Sequence, residues 1–312
     1  MVTRRDVPLS TTAATDVLAV AAYGGSQAAS SQFKRPLVLV HGAWHGAWCF
    51  EQIAALLSAA GHPVTARDLP GHGLNALFPA SYSVHPRDIS FNTEPSPLAT
   101  ITLADYSRQV VDIVNGLLAA GQPAPVLVGH SMGGIVAQAV AEALGRDKIH
   151  HVVYISGFMP TDNTPITNYF QDPTFASSLL PSLLLADPAA IGALRLDPDS
   201  SSAAYVQQMQ DTFYGDVDAV TRRAATNLLT PDVPISPETK IHVTTTGWGA
   251  VPRTYLRCAN DKAIPPACQD LMIAQADAFS PSNKTNVVPI NSSHSPFFSQ
   301  PQAVVKALLS LT

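Results

Sequence analysis

The chain has 312 residues, 46% of them apolar and 13% charged, against roughly 25% charged in a typical soluble domain. Such a chain can bury a large core and is not disordered. Its net charge of −5 comes without a run of basic residues, which argues against nucleic acid as a partner, and no apolar stretch reaches the roughly 20 residues of a membrane span.

In chain order, residues 1–31 come first. Thr3-Arg4-Arg5-Asp6-Val7 resembles the start of a bacterial twin-arginine signal, and small residues at 26–31 offer a cleavage site. Asp16 interrupts the apolar part and there is no clean A-x-A. A flexible arm or an edge strand over 17–23 is therefore the competing reading. Export makes the protein periplasmic or secreted, and its absence makes it cytoplasmic. The 3 cysteines form no C-x-x-C pair. Cys258 and Cys268 can pair in an exported protein, leaving Cys49 over, and free buried thiols are the equal alternative.

From residue 33 onward the pattern is strand, turn, helix, repeated. Strands are expected at 33–40, 63–67, 125–128 and 151–155, as short apolar runs. Helices are expected at 48–60, stopped by Gly61, at 103–118, and at 132–144, stopped by Gly145. Residues 70–102, rich in Pro, Ser, Asn and Gly, show no period, and loops of that length are often functional. The alternation lapses over 157–236, which carries a Leu-rich piece at 179–185 and a helical stretch at 203–214. It resumes with strands at 241–245, 254–258 and 287–290 and helices at 266–278 and 302–311. The pattern predicts an α/β fold, a mostly parallel sheet flanked by helices. Its core spans 32–156 and 237–312, and 157–236 is an inserted helical cap over the C-terminal edge of the sheet.

The chemistry concentrates at Ser131. The apolar strand ending at Val128 runs into Gly129-His130-Ser131-Met132-Gly133, a G-x-S-x-G between strand and helix. That turn exposes the serine hydroxyl beside free helix N-terminal amides. A serine nucleophile needs a base held by an acid, in the chain order Ser, Asp or Glu, His. Of the 10 histidines, only His294 lies beyond His242, in the loop after the last expected strand. Asp261 follows the strand at 254–258, whereas Asp270 and Asp277 fall inside an expected helix. His41-Gly42-Ala43-Trp44-His45-Gly46 follows the first strand and allows a tight loop. Its Ala43 amide, with that of Met132, is the expected oxyanion-hole pair. His41 and His45 lie on a glycine loop without a third ligand, so no metal and no cofactor is expected. Trp44, Phe158, Phe170 and Phe297 are the expected apolar pocket walls.

HGAWHGAW, DLPGHG, GHSMGG, ISGFMP and NDKAIPP together resemble the α/β-hydrolase superfamily, and within it the branch of plant methylesterases, hydroxynitrile lyases and related bacterial esterases. The resemblance spans about residues 35–312 and is weakest across the insertion. It implies the α/β-hydrolase fold, Ser131, Asp261 and His294 as triad, and Ala43 and Met132 as oxyanion donors. In the lyases of this branch, a threonine follows the first loop histidine and a lysine follows the catalytic one. Here those positions are Gly42 and Ser295, which disfavours cyanohydrin cleavage. The expected activity is hydrolysis of a small to medium apolar carboxylic ester through an acyl-enzyme, with that ester as the small-molecule partner. A slow-turnover ligand-binding protein on the same fold is the alternative.

Overall fold

The apolar runs of the sequence become the strands of one sheet. In a computed structural model, which describes residues 34–234 and 239–312, they are β1 (Leu37–Val40), β2 (Val64–Ala66), β3 (Val126–His130) and β4 (His151–Ile155). A separate antiparallel ribbon of β5 (Leu194–Arg195) and β6 (Asp232–Val233) follows, then β7 (Arg253–Cys258) and β8 (Asn286–Ile290). The six sheet strands run parallel in the order β2-β1-β3-β4-β7-β8. Leu39 lies opposite Val128, and Val128 opposite Val153. The expected signal or arm at 1–31 lies outside the described residues. No described helix is long and apolar enough to cross a membrane.

The helices are α1 (Glu51–Ala59), α2 (Leu103–Ala119), α3 (Gly133–Lys148), α4 (Ile166–Phe170), α5 (Pro188–Ile191), α6 (Ala203–Tyr214), α7 (Ala219–Asn227), α8 (Pro266–Phe279), α9 (Pro296–Ser299) and α10 (Pro301–Leu309). A capping box starts α2, in which Asp105 N donates to the Thr102 hydroxyl and Thr102 N to the Asp105 carboxylate. Side chains alternate along the central strands, so these feed two cores. Leu37, Leu39, Val128 and Leu256 meet Ile53 and Leu57 of α1 and Val304 and Leu308 of α10 on one face. Val38, Leu127, Val152 and Tyr255 meet Val110 of α2, Val136 of α3 and Met272 of α8 on the other. Burial on both faces is why these strands read as continuous apolar runs.

The direction in which strands are added to the sheet reverses between β1 and β3. From β1 the chain crosses outward to β2 and then back to β3, on the other side of β1. A crevice opens at the carboxyl ends of strands at such a switch point, so the loops after β1 and β3 come together there.

Residues 241–245 are not a strand, contrary to the sequence pattern. Asp162 Oδ1 takes the Val243 amide and Glu142 Oε2 the Thr244 amide, each at 2.9 Å, and β7 pairs directly with β4. Side chains distant in sequence thus capture the amides a ladder would use. Between β4 and β7 the chain carries α4 to α7 and the ribbon. The stretch 70–102 forms three short 3₁₀ turns and packs onto that segment. Arg87 binds Asp197 through two bonds of 3.0 and 2.8 Å. Arg195, fully buried, forms a bidentate pair with Asp232 at 2.7 Å and donates to Glu94 O at 2.8 Å. Cys49, Cys258 and Cys268 are all free and buried.

Candidate active site

Ser131 stands at the end of β3 with φ +53°, a conformation non-glycine residues rarely adopt. The surrounding backbone holds it there. Its amide donates to Ile155 O at 3.2 Å, and its carbonyl accepts from Gly134 N and Phe158 N, each at 3.0 Å. The turn needs glycines on both sides. A Cβ at Gly129 would sit 2.4 Å from Gly133 O, and one at Gly133 would sit 2.4 Å from Val40 O.

His294 reaches the same edge from the loop after β8. Its Nδ1 lies 2.8 Å from Asp261 Oδ2, and both residues are buried. Asp261 is held at four points. Oδ1 accepts the amides of Ala263 at 2.8 Å and Ile264 at 2.9 Å, and Oδ2 accepts Gln269 Nε2 at 3.2 Å beside His294. Both carboxylate oxygens accept from the groups around them, and Nδ1 of His294 carries the ring proton that Oδ2 takes. Nε2 is then free to accept one. The ring packs against His130 at 4.6 Å between centroids and Phe213 at 6.0 Å. The His294 carbonyl accepts from His130 Nε2 at 3.0 Å.

Gln269 escaped the sequence reading. It donates to Asp261 and to Ile264 O at 2.8 Å, while its Oε1 takes the Cys258 amide at 3.0 Å. Its signal was available: it is a polar residue beside Cys268 and near Met272 on the buried side of α8.

Ala43, Trp44, Ser131, Met132, Phe158 and Phe170 line one cavity, with Ile135, Ile166, Leu180, Leu194 and Val233. These walls come from seven separate stretches of the chain, and no local pattern marks those stretches as neighbours. The amides of Ala43 and Met132 find no acceptor among the described residues, so both remain available to a bound oxygen. Phe297 does not reach the cavity. It packs 5.3 Å from Phe50 and 4.8 Å from His130, in the α1/α10 core.

Four further histidines are buried around the site. Burial pushes His41 down to about 4 and His45 to about 3, and holds His72 and His130 well below the usual range. All four rings are neutral at pH 7. Gly42 touches this layer, since a Cβ there would lie 2.8 Å from both His130 Nδ1 and Ser131 Cβ. Ser295 is buried, and its hydroxyl has no partner among the described residues. Lys262 is exposed and is not among the cavity walls.

Known proteins share this architecture. The model of the alpha/beta hydrolase family matches residues 37–307. Methylesterase 2 of Arabidopsis thaliana is 30% identical over 281 residues, covering 89% of this chain and 96% of its own. Methylesterase 7 of the same plant is 28% identical over 285 residues, covering 89% and 96%. The crystal structure of polyneuridine aldehyde esterase matches with a TM-score of 0.66 at 25% identity, covering 89% of this chain and 99% of that one. The chain therefore belongs to the alpha/beta hydrolase family, in the branch that holds the plant methylesterases.

Proposed function

We propose that the protein is a serine hydrolase that cleaves carboxylic esters with small to medium apolar groups through an acyl-enzyme. The observation that carries this is the 2.8 Å bond between Asp261 and His294 Nδ1, at the sheet edge where Ser131, Ala43 and Met132 line one apolar cavity. His294 Nε2 takes the Ser131 proton as Oγ attacks the ester carbonyl, and Asp261 stabilises the imidazolium that results. Charge develops on the carbonyl oxygen, where the Ala43 and Met132 amides receive it. The bond to the alcohol then breaks as His294 returns its proton to the leaving oxygen. Water, deprotonated by His294, attacks the acyl group and frees Ser131. The methylesterase names of the relatives support an ester as substrate.

Cyanohydrin cleavage fits poorly. It needs a hydroxyl to hold the substrate and a cation to receive cyanide. Gly42 has no side chain at the position where the hydroxyl is needed, Ser295 is neutral where the cation is needed, and Lys262 is exposed. Export through the 1–31 segment is a separate proposal, tested by the N-terminal sequence of protein recovered from the periplasm of a bacterial host.

The test is turnover of p-nitrophenyl butyrate combined with labelling by an alkyl phosphonate. Steady turnover with the label on Ser131 alone is expected. A label on another serine, or a folded Ser131→Ala protein that keeps more than a few per cent of the activity, rejects the mechanism. A single burst without turnover favours the ligand-binding alternative.

A further inference from the structure

Three histidines outside the proposed proton transfers lie buried beneath the loop that presents the Ala43 amide. The carbonyls of that loop only accept hydrogen bonds, so each bond to them fixes where a proton sits. His41 Nδ1 lies 2.9 Å from Gly42 O, so Nδ1 carries the proton, and Nε2 takes the Leu69 amide at 3.0 Å. His45 Nδ1 lies 2.8 Å from Ala43 O, and its Nε2 takes the Tyr214 hydroxyl at 2.8 Å. The third case has one extra link. Trp44 O accepts the Thr230 hydroxyl at 3.3 Å and the Thr230 amide at 2.9 Å. The Thr230 oxygen then accepts from His72 Nδ1 at 3.1 Å, and His72 Nε2 takes the Tyr106 hydroxyl at 2.7 Å.

Two consecutive carbonyls are thus each held directly by a histidine and the third by Thr230 with His72 behind it, and each histidine is set in one tautomer by a donor behind it. The geometry bears directly on the amide. Gly42 O and Ala43 N belong to one planar trans peptide, in which C=O and N–H point in opposite directions. Holding Gly42 O on the histidine side turns the Ala43 N–H to the other, toward the cavity that Ala43 lines with Ser131. Holding Ala43 O and Trp44 O fixes the next two planes, across a Trp44 whose φ of +60° a non-glycine residue disfavours.

We propose that His41, His45 and His72 form a clamp that aims the Ala43 amide at the reacting carbonyl oxygen, with Tyr214 and Tyr106 as positioning residues that set the rings. The proposal rests on the esterase reading of Ala43. Only a neutral imidazole donates at one nitrogen and accepts at the other, and burial keeps all three rings neutral. Tyr214 and Thr230 lie in the segment between β4 and β7. The oxyanion site is therefore complete only when that segment is seated on the loop.

Tyr214→Phe and Tyr106→Phe in the full chain remove one hydroxyl each and keep the ring. Each variant is assayed for kcat and KM on p-nitrophenyl butyrate. Each is also tested with a trifluoromethyl ketone, whose adduct with Ser131 carries an oxyanion, and with the matching methyl ketone, which binds without one. Loss of aim should lower kcat and trifluoromethyl ketone affinity by the same factor, about tenfold or more. KM and methyl ketone affinity should stay within about twofold. Two conservative variants at opposite ends of the clamp keep the test informative if one folds poorly. Variants whose kcat and trifluoromethyl ketone affinity stay near wild type overturn the clamp, as does a parallel loss for both ketones. A wild type without ester turnover overturns the esterase reading and the clamp with it.

Discussion

Replacing Asp261 with asparagine should cost more in catalysis than in stability, because it reverses a proton. Asp261 Oδ1 faces two amides, Ala263 N at 2.8 Å and Ile264 N at 2.9 Å, so the asparagine must keep its oxygen there. Its NH₂ then falls where Oδ2 was, against His294 Nδ1 and Gln269 Nε2. Gln269 cannot turn to meet it, because Oε1 is committed to the Cys258 amide at 3.0 Å and Nε2 to Ile264 O at 2.8 Å. The NH₂ donates to His294 Nδ1 and drives the ring proton to Nε2, where it blocks acceptance from Ser131. A tautomer reversal of this kind costs about 10⁴ in kcat, or about 5 kcal/mol of transition-state stabilisation. The donor-against-donor contact with Gln269 should cost about 1–3 kcal/mol of folding stability. The assay is kcat on p-nitrophenyl butyrate beside urea unfolding, with the ¹⁵N shifts of His294 reporting which nitrogen is protonated. A folded Asp261→Asn protein within tenfold of wild-type kcat would refute the assignment.

Acid should destabilise the fold in a defined window. The buried histidines have folded pKa values of about 4 for His41 and about 3 for His45, below their unfolded value. Their contribution is therefore complete above about pH 6.5 and is lost as pH falls toward the folded values, by about 2 kcal/mol each at about pH 5. A urea midpoint that stays flat between neutral pH and that point would contradict this. Mandelonitrile cleavage should run at least about three orders of magnitude below ester turnover, because cyanide would leave without a cation, at several kcal/mol. Gly42→Thr should not create that activity and should lower esterase activity, since its Cβ would meet His130 and Ser131 at 2.8 Å; a gain in mandelonitrile turnover would overturn this. Phe158→Ala or Phe170→Ala should shift preference toward longer acyl chains in a p-nitrophenyl ester series. Phe297→Ala should instead lose about 3–5 kcal/mol of stability with the preference unchanged, and a changed preference would place Phe297 in the cavity after all.

The reach of the sequence follows from what each signal reports. Local grammar fixed the elements that rest on neighbouring residues. The run Val126-Leu127-Val128 passing into Gly129-His130-Ser131 specifies a strand, a tight turn and a helix start, because only small residues permit the backbone contacts at Gly129 and Gly133. Chain order then singled out Asp261 and His294, which the fold brings within 2.8 Å of each other. Apolar periodicity says that a residue is buried, but not against which partner. Phe297 is as buried as the cavity wall Trp44, yet it faces the opposite core. Residues 241–245 carry an apolar pattern, but Asp162 and Glu142 take the amides a strand would have paired. The proton positions on His41, His45 and His72 depend on Leu69, Tyr214 and Tyr106, which arrive from three separate parts of the chain. Tertiary packing alone decides such pairings, because a buried donor or acceptor must find whichever complementary group the fold places beside it.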